Sequence, residues 1–177
     1  MTDGTSIKAI ETVYNGYRFR SRLEARWAVF FDALGWEFEY EKEGFELGKA
    51  GRYLPDFHLV KSDIWVEVKP NRQLSAKEKN KILWLAHYAK RPVIVVRGAP
   101  WPDNLAAHYE DKHRDGGCVV EHFDTFLAPC PCCGGLTTVG TATDPQVMDA
   151  LLRQPSLLAA CNAARQARFE FGECGAR

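Results

Sequence analysis

Between Leu23 and Leu34 the apolar residues Leu23, Trp27, Phe30, Phe31 and Leu34 return at helical spacing, which predicts a helix with one buried stripe. Ser21 stands before it as an N-cap, Glu24 follows three residues later at the capping-box spacing, and Gly35 is a natural stop. The period then changes to two. Trp36, Phe38 and Tyr40 alternate with Glu37, Glu39 and Glu41, the pattern of a half-buried strand. Tyr53 to Val60 reads as a second strand, with Pro55 near its start. Ile64, Val66 and Val68 alternate with Trp65, Glu67 and Lys69 in a third, and the turn at Lys61-Ser62-Asp63 predicts a hairpin joining it to the second.

Ser75 to Ala89 reads as a second helix, made basic by Lys77, Lys79, Lys81 and, just past its end, Lys90. Val93-Ile94-Val95-Val96 is a continuous apolar run, as in a central or parallel strand. Ahead of the first helix, Thr12-Val13-Tyr14 is a short candidate strand, followed by Asn15-Gly16 and a basic stretch from Tyr17 to Arg20. Gly98 to Gly117 reads as loop with a short helix around Asn104 to Tyr109, and Cys118 to Phe123 as a last short strand. Then come a cysteine knuckle, a Gly/Thr-rich stretch and a helical tail from Pro145 to Phe171. The expectation is an α/β core with a mixed sheet flanked by helices over residues 1–126, and a small Cys-containing helical appendage over 127–177.

A chain of 177 residues can bury one full core. At 46% hydrophobic and 26% charged it is globular rather than disordered. A formal net charge of +0 gives no long-range pull on a polyanion, so any nucleic-acid contact must come from local basic patches. Met1 to Ile10 lacks a signal-peptide pattern, and no apolar run approaches the roughly 20 residues that span a bilayer. A soluble cytoplasmic protein with no membrane partner is therefore expected.

The chemistry-bearing residues lie on the hairpin. Phosphodiester hydrolysis needs an activated water and neutralised phosphate charge, both of which bound Mg²⁺ can supply. Such a hard ion takes carboxylates, carbonyls and water. Asp56 and Glu67 qualify as paired carboxylates if the hairpin brings them into register. Glu67 and Lys69, two apart, project from one face. Lys69 would sit near the attacking water, and the Val68 carbonyl could add a ligand. The plain alternative for Glu67 and Lys69 is a solvated strand face, and for Glu24 a role in helix capping alone.

Pro55-Asp56, ten intervening residues and Glu67-Val68-Lys69 resemble the motif of the PD-(D/E)XK nuclease superfamily. The segment from Phe19 to Arg26 is similar to the helix from which that superfamily commonly adds a glutamate, and Glu24 is the matching position. The likeness covers Gly16 to Gly98 and extends to junction-resolving and TnsA-type endonucleases of phages and mobile elements. It implies a restriction-endonuclease-like fold, Mg²⁺ (or Mn²⁺) held by Glu24, Asp56, Glu67 and the Val68 carbonyl, and catalysis by Glu24, Asp56, Glu67 and Lys69 in metal-dependent DNA cleavage. Duplex, branched, nicked and single-stranded DNA, and RNA, all stay open as substrates. Double-strand cleavage by a one-site nuclease would call for a homodimer. The competing reading is a non-catalytic DNA-binding or assembly module on the same fold.

Arg20, Arg22 and Arg26 around the first helix, and Lys77 and Lys81 on the second, are candidate phosphate contacts, with solvated surface and ion pairs as the alternative. His58 shares the strand face of Asp56 and could reach the site, a structural or exposed histidine being the plainer reading. Trp65 shares the face of Glu67, to stack on a base or to wall the cleft. Gln73 follows closely and could bond a phosphate or base, though a lone loop glutamine is usually neither. Cys130 and Cys133 form a Cys-x-x-Cys pair that resembles a zinc-ribbon knuckle, half of a structural zinc site if zinc binds, with free or incidental thiols as the alternative. Cys118, His122, Cys132, Cys161 and Cys174 are the candidates for the remaining ligands.

Overall fold

A computed structural model of the chain describes residues 9–70, 73–102, 106–111, 119–140 and 143–169. The elements run β1 (Thr12–Tyr14), β2 (Tyr17–Phe19), α1 (Arg22–Ala33), β3 (Phe38–Tyr40), β4 (Phe45–Glu46), β5 (Arg52–Tyr53), β6 (Phe57–Leu59), β7 (Ile64–Lys69), α2 (Ala76–Ala89), β8 (Val93–Arg97), β9 (Ala106–Asp111), β10 (Val119–Pro129), β11 (Leu136–Gly140), α3 (Pro145–Leu152) and α4 (Pro155–Gln166). The fold is mixed α/β. A seven-stranded sheet has the order β11-β10-β9-β8-β7-β6-β3, and β1-β2 and β4-β5 form two small hairpins beside it.

In the main sheet β7 pairs with β8 in parallel, with α2 as the crossover between them, and the other neighbours are antiparallel. Strand alternation divides the interior in two. Val66, Val68, Ile94 and Val96 face a core shared with α1 and α4, while Trp65, Val93 and Val95 face a second core under α2. Covering both faces of β7 and β8 makes them the buried centre of the sheet. The apolar run at Val93 to Val96 is the sequence trace of that position.

Both helix starts follow their caps. Ser21 accepts the Glu24 amide at the head of α1, and Ser75 and Glu78 close a full capping box at the head of α2. Gly35 stands just past α1 with φ of 67°, a left-handed stop.

Several expectations are corrected. The strand expected from Tyr53 to Val60 is broken at Leu54-Pro55-Asp56, where Pro55 offers no amide for a ladder. Its first end pairs in the small β4-β5 hairpin and its second becomes β6. Tyr17 to Phe19, read only as basic, is a strand. Asn15 and Gly16, at φ of 47° and 81°, make the left-handed two-residue turn that joins it to β1. The short helix expected up to Tyr109 is instead β9, which satisfies the free edge of β8 and buries Tyr109 completely; Asn104 lies outside the described residues. The last strand is not the short one expected from Cys118, itself outside the described residues. β10 runs for 11 residues and pairs with β11, the Gly/Thr-rich stretch. The helical tail is two helices, because Pro155 cannot continue α3 and instead opens α4.

β10 spans residue 126, the expected boundary, and Leu127, Val139, Leu157 and Phe169 lie in the same core as α1 and β7. Trp36 Nε1 also donates to the Gly134 carbonyl at 2.8 Å. No helix of the described residues is long and apolar enough to cross a membrane.

Candidate active site

The register of β7 on β8 sets Glu67 beside Val95 and Lys69 beside Arg97, on the α2 side of the sheet. Asp56 lies at the bend before β6, one step past the Phe57–Val66 pair, so the antiparallel ladder leads it across from Glu67. Its Oδ2 accepts the Val68 amide at 2.7 Å. Thus the alternation that sends Val68 into one core turns Glu67 and Lys69 toward the other, and the broken strand delivers Asp56 to meet them.

Asp56 is 8% exposed and Glu67 3%, so Glu67 is not part of a solvated strand face. Lys69 Nζ donates to Glu67 Oε1 at 2.5 Å. Glu67 Oε2 is buried and has no hydrogen-bond partner. An unmet buried oxygen costs about 1–3 kcal/mol, more for a charged group, so it marks a place where a cation or donor is wanted. Burial pushes the Asp56 carboxyl well above the usual carboxylate range, and the facing charge of Glu67 adds to this, with a smaller push from Glu24. Burial works against the Lys69 ammonium. Glu67 first, then Asp56 and Glu78, overcome that and hold it above its ordinary value, so it is a cation at neutral pH.

Glu24 is held at the head of α1. Oε1 accepts the Ser21 hydroxyl at 2.7 Å, while Oε2 accepts the Tyr40 hydroxyl at 2.5 Å and the Arg20 amide at 3.1 Å. Both of its oxygens are therefore engaged, and it bears on Asp56 through its charge. Capping and proximity to the site are both properties of this side chain. Two neighbours went unread in the sequence. Tyr40 fixes Glu24. Tyr53 faces the carboxylate pair; burial, then the charge of Glu67 and a hydrogen-bonding approach to it, drive its hydroxyl far up, so it stays a neutral phenol. Each sits on a readable strand segment, but nothing in the pattern separates it from any half-buried tyrosine.

Among the described residues no group of three or more His, Cys, Asp or Glu side chains is arranged to hold a metal ion. Mg²⁺ asks for less, because one or two carboxylates suffice when water and substrate phosphate complete its octahedron. Asp56 and Glu67 are two opposed carboxylates, with Lys69 on one Glu67 oxygen and the other unmet, a donor set of the kind such an ion takes.

The remaining candidates divide. His58 hydrogen-bonds Glu39 and Asp63, each at 3.1 Å, and packs on Trp65 at 4.7 Å between ring centroids. Trp65 is 4% exposed and walls the second core, so its ring is closed to a base. Arg20 is paired with Glu41. Arg22 and Lys77 are exposed, as is Gln73. Arg26 is half-buried, and its Nε has no partner. Lys81 Nζ lies 5.7 Å from the centre of the Tyr53 ring.

Cys130 and Cys133 occupy one turn, closed by Cys130 N–H to Gly135 and Gly134 N–H to Cys130. The Cys132 and Cys133 amides point at the Cys130 sulfur and lower its pKa. These are two of the four ligands that structural zinc requires. Cys161 is buried in the main core, and His122 lies eight residues back along β10, about 26 Å at strand rise. The described residues do not complete a zinc site. Comparison of the chain with protein-family models, with curated proteins and with solved structures gives no match.

Proposed function

We propose that this chain is a metal-dependent endonuclease that hydrolyses phosphodiester bonds of DNA, built on a restriction-endonuclease-like core of the PD-(D/E)XK kind. The observation that carries the reading is the buried cluster of Asp56, Glu67 and Lys69, with one Glu67 oxygen unpaired and Lys69 on the other. The order α1, β3, β6-β7 hairpin, α2, β8 supports the resemblance, and that resemblance points to a phage or mobile-element role.

Bound Mg²⁺ would supply a water of lowered pKa and Lewis acidity toward the phosphate. Asp56 and Glu67 would hold the ion, with the Val68 carbonyl next to them on β7. Lys69, kept charged by its carboxylate neighbours, would orient the attacking water and offset negative charge as it builds on the phosphate. Glu24 would add negative charge near Asp56 and raise affinity for a cation there. Arg22, Arg26, Lys77 and Lys81 would meet backbone phosphates, with Arg20 shared between phosphate and Glu41.

A binding module that only kept the fold would have no use for two opposed buried carboxylates. Calorimetric titration with Mn²⁺ separates the two readings. The nuclease is expected to bind the ion and to lose binding in both Asp56→Ala and Glu67→Ala. Heat that is absent in the wild type, or unchanged in the two variants, would rule the proposed site out.

A further inference from the structure

On α2, Lys77, Lys81, Trp84 and Tyr88 follow one another at spacings of four, three and four, so they form one stripe along the helix. Eleven residues of helix carry the stripe about 16 Å. Its two halves differ. Lys77 and Lys81 lie toward the carboxylates: Lys81 stands over the Tyr53 ring, and Tyr53 faces Glu67. Glu78, the acidic neighbour on this helix, is occupied by the Ser75 cap. Trp84 and Tyr88 lie farther along, 39% and 46% exposed, with ring centroids 5.8 Å apart.

These rings are not core. The buried side of α2 is made by Ile82, Leu85 and Ala86. Trp101, the other exposed tryptophan among the described residues, has a face taken by the Arg165 guanidinium at 4.4 Å. Among the described residues, the rings that meet Trp84 are those of its own helix, His87 and Tyr88. An exposed indole and phenol next to lysines are what an unpaired strand of nucleic acid binds: phosphates to the ammonium groups, bases stacked on the rings. Duplex DNA has no free base face to offer.

We infer that the α2 stripe is a track for single-stranded DNA, which seats an unpaired segment with its bases on Trp84 and Tyr88 and its backbone running past Lys81 and Lys77 to the carboxylates. The substrate of the proposed nuclease would then be DNA with an unpaired stretch rather than continuous duplex. This rests on the nuclease reading for what happens at the end of the track, but not for the binding itself.

The test is fluorescence anisotropy in EDTA, where no cleavage intervenes. The probes are a labelled oligothymidylate and a duplex of equal length, added to the full chain and to its Trp84→Ala, Tyr88→Ala and Trp84→Phe variants. The wild type is expected to prefer the single strand. Each alanine variant should lose roughly tenfold on it, the effect of one lost stacking contact, while duplex binding stays in place and Trp84→Phe keeps most of the affinity. Trp84 and Tyr88 lie outside the buried cores, so the alanine variants should still fold, and binding is compared at a temperature where each is folded. The inference fails if the alanine variants bind the single strand as the wild type does, or weaken equally on both probes. It fails too if Trp84→Ala turns a dimer into a monomer in sedimentation, since the rings would then serve self-association. A Mg²⁺ cleavage assay tells the two failures apart. No cleavage with the stacking effect intact sinks the nuclease alone, and cleavage without a stacking effect sinks the track alone.

Discussion

Glu67 gives one oxygen to Lys69 and leaves the other with no donor, while Asp56 across from it is pushed toward its neutral form. Without a cation, then, Asp56 ionises at a cost. Its folded pKa lies above its unfolded value, so its contribution to stability is full below the unfolded pKa and is lost as pH rises through the raised folded one. Asp56→Asn keeps an acceptor for the Val68 amide and removes the charge. In metal-free buffer it should raise the melting temperature by roughly 2–4 °C at pH 8, the shift that ~1 kcal/mol gives in a chain of this size, and the gain should vanish in acid. Thermal melts of both proteins across pH check this, and a variant that is destabilised equally at every pH would refute it. The sequence carried Asp56, Glu67 and Lys69 because a period of two fixes which side chains share a face. Tyr53 and Tyr40 were illegible, since what gives them a role is a neighbour 14 or 16 residues away.

At the scale of elements, what could be read was what is local. α1 and α2 announced themselves through period and cap, the β6-β7 hairpin through its turn, and β8 through an unbroken apolar run. β9 was misread because its pairing partners, β8 and β10, decide its state, and its own residues do not. β2 was missed although Asn15-Gly16 is a strong hairpin signal, because three residues are too few to show alternation. The two capping serines make a test of what α1 does. Ser21→Ala and Ser75→Ala should each cost about 1 kcal/mol in denaturant melts. Only Ser21→Ala should also slow cleavage by several fold, because Glu24 loses the donor that fixes Oε1. Equal cleavage by the two variants at a temperature where both are folded would show that Glu24 only caps.

On the scale of the whole molecule, the residues on either side of position 126 share one core. The later segment is as apolar as the rest of the chain, and part of that apolar surface lies in the core shared with α1 and β7, while Val147 and Leu158 stay exposed. Leu127, Val139, Leu152, Leu157 and Phe169 are each at most 9% exposed. Burying five such side chains is worth on the order of 10 kcal/mol, comparable with the entire net stability of a domain, about 5–15 kcal/mol. A chain truncated after residue 126 should therefore not fold, and circular dichroism with a cooperative melt would contradict that. The same shared core keeps α1 and β7 rigid, and these two elements carry Glu24, Glu67 and Lys69.

Cleavage itself bears most directly on the site. Supercoiled, linear, single-stranded and four-way-junction DNA are incubated with Mg²⁺ and with either the wild type or Lys69→Ala. Mg²⁺-dependent cleavage of at least one substrate by the wild type, abolished in a Lys69→Ala protein that is still folded at the assay temperature, is the expected result. A Lys69→Ala protein that cuts as fast as the wild type, or a wild type that cuts none of these with Mg²⁺ or Mn²⁺, would contradict it.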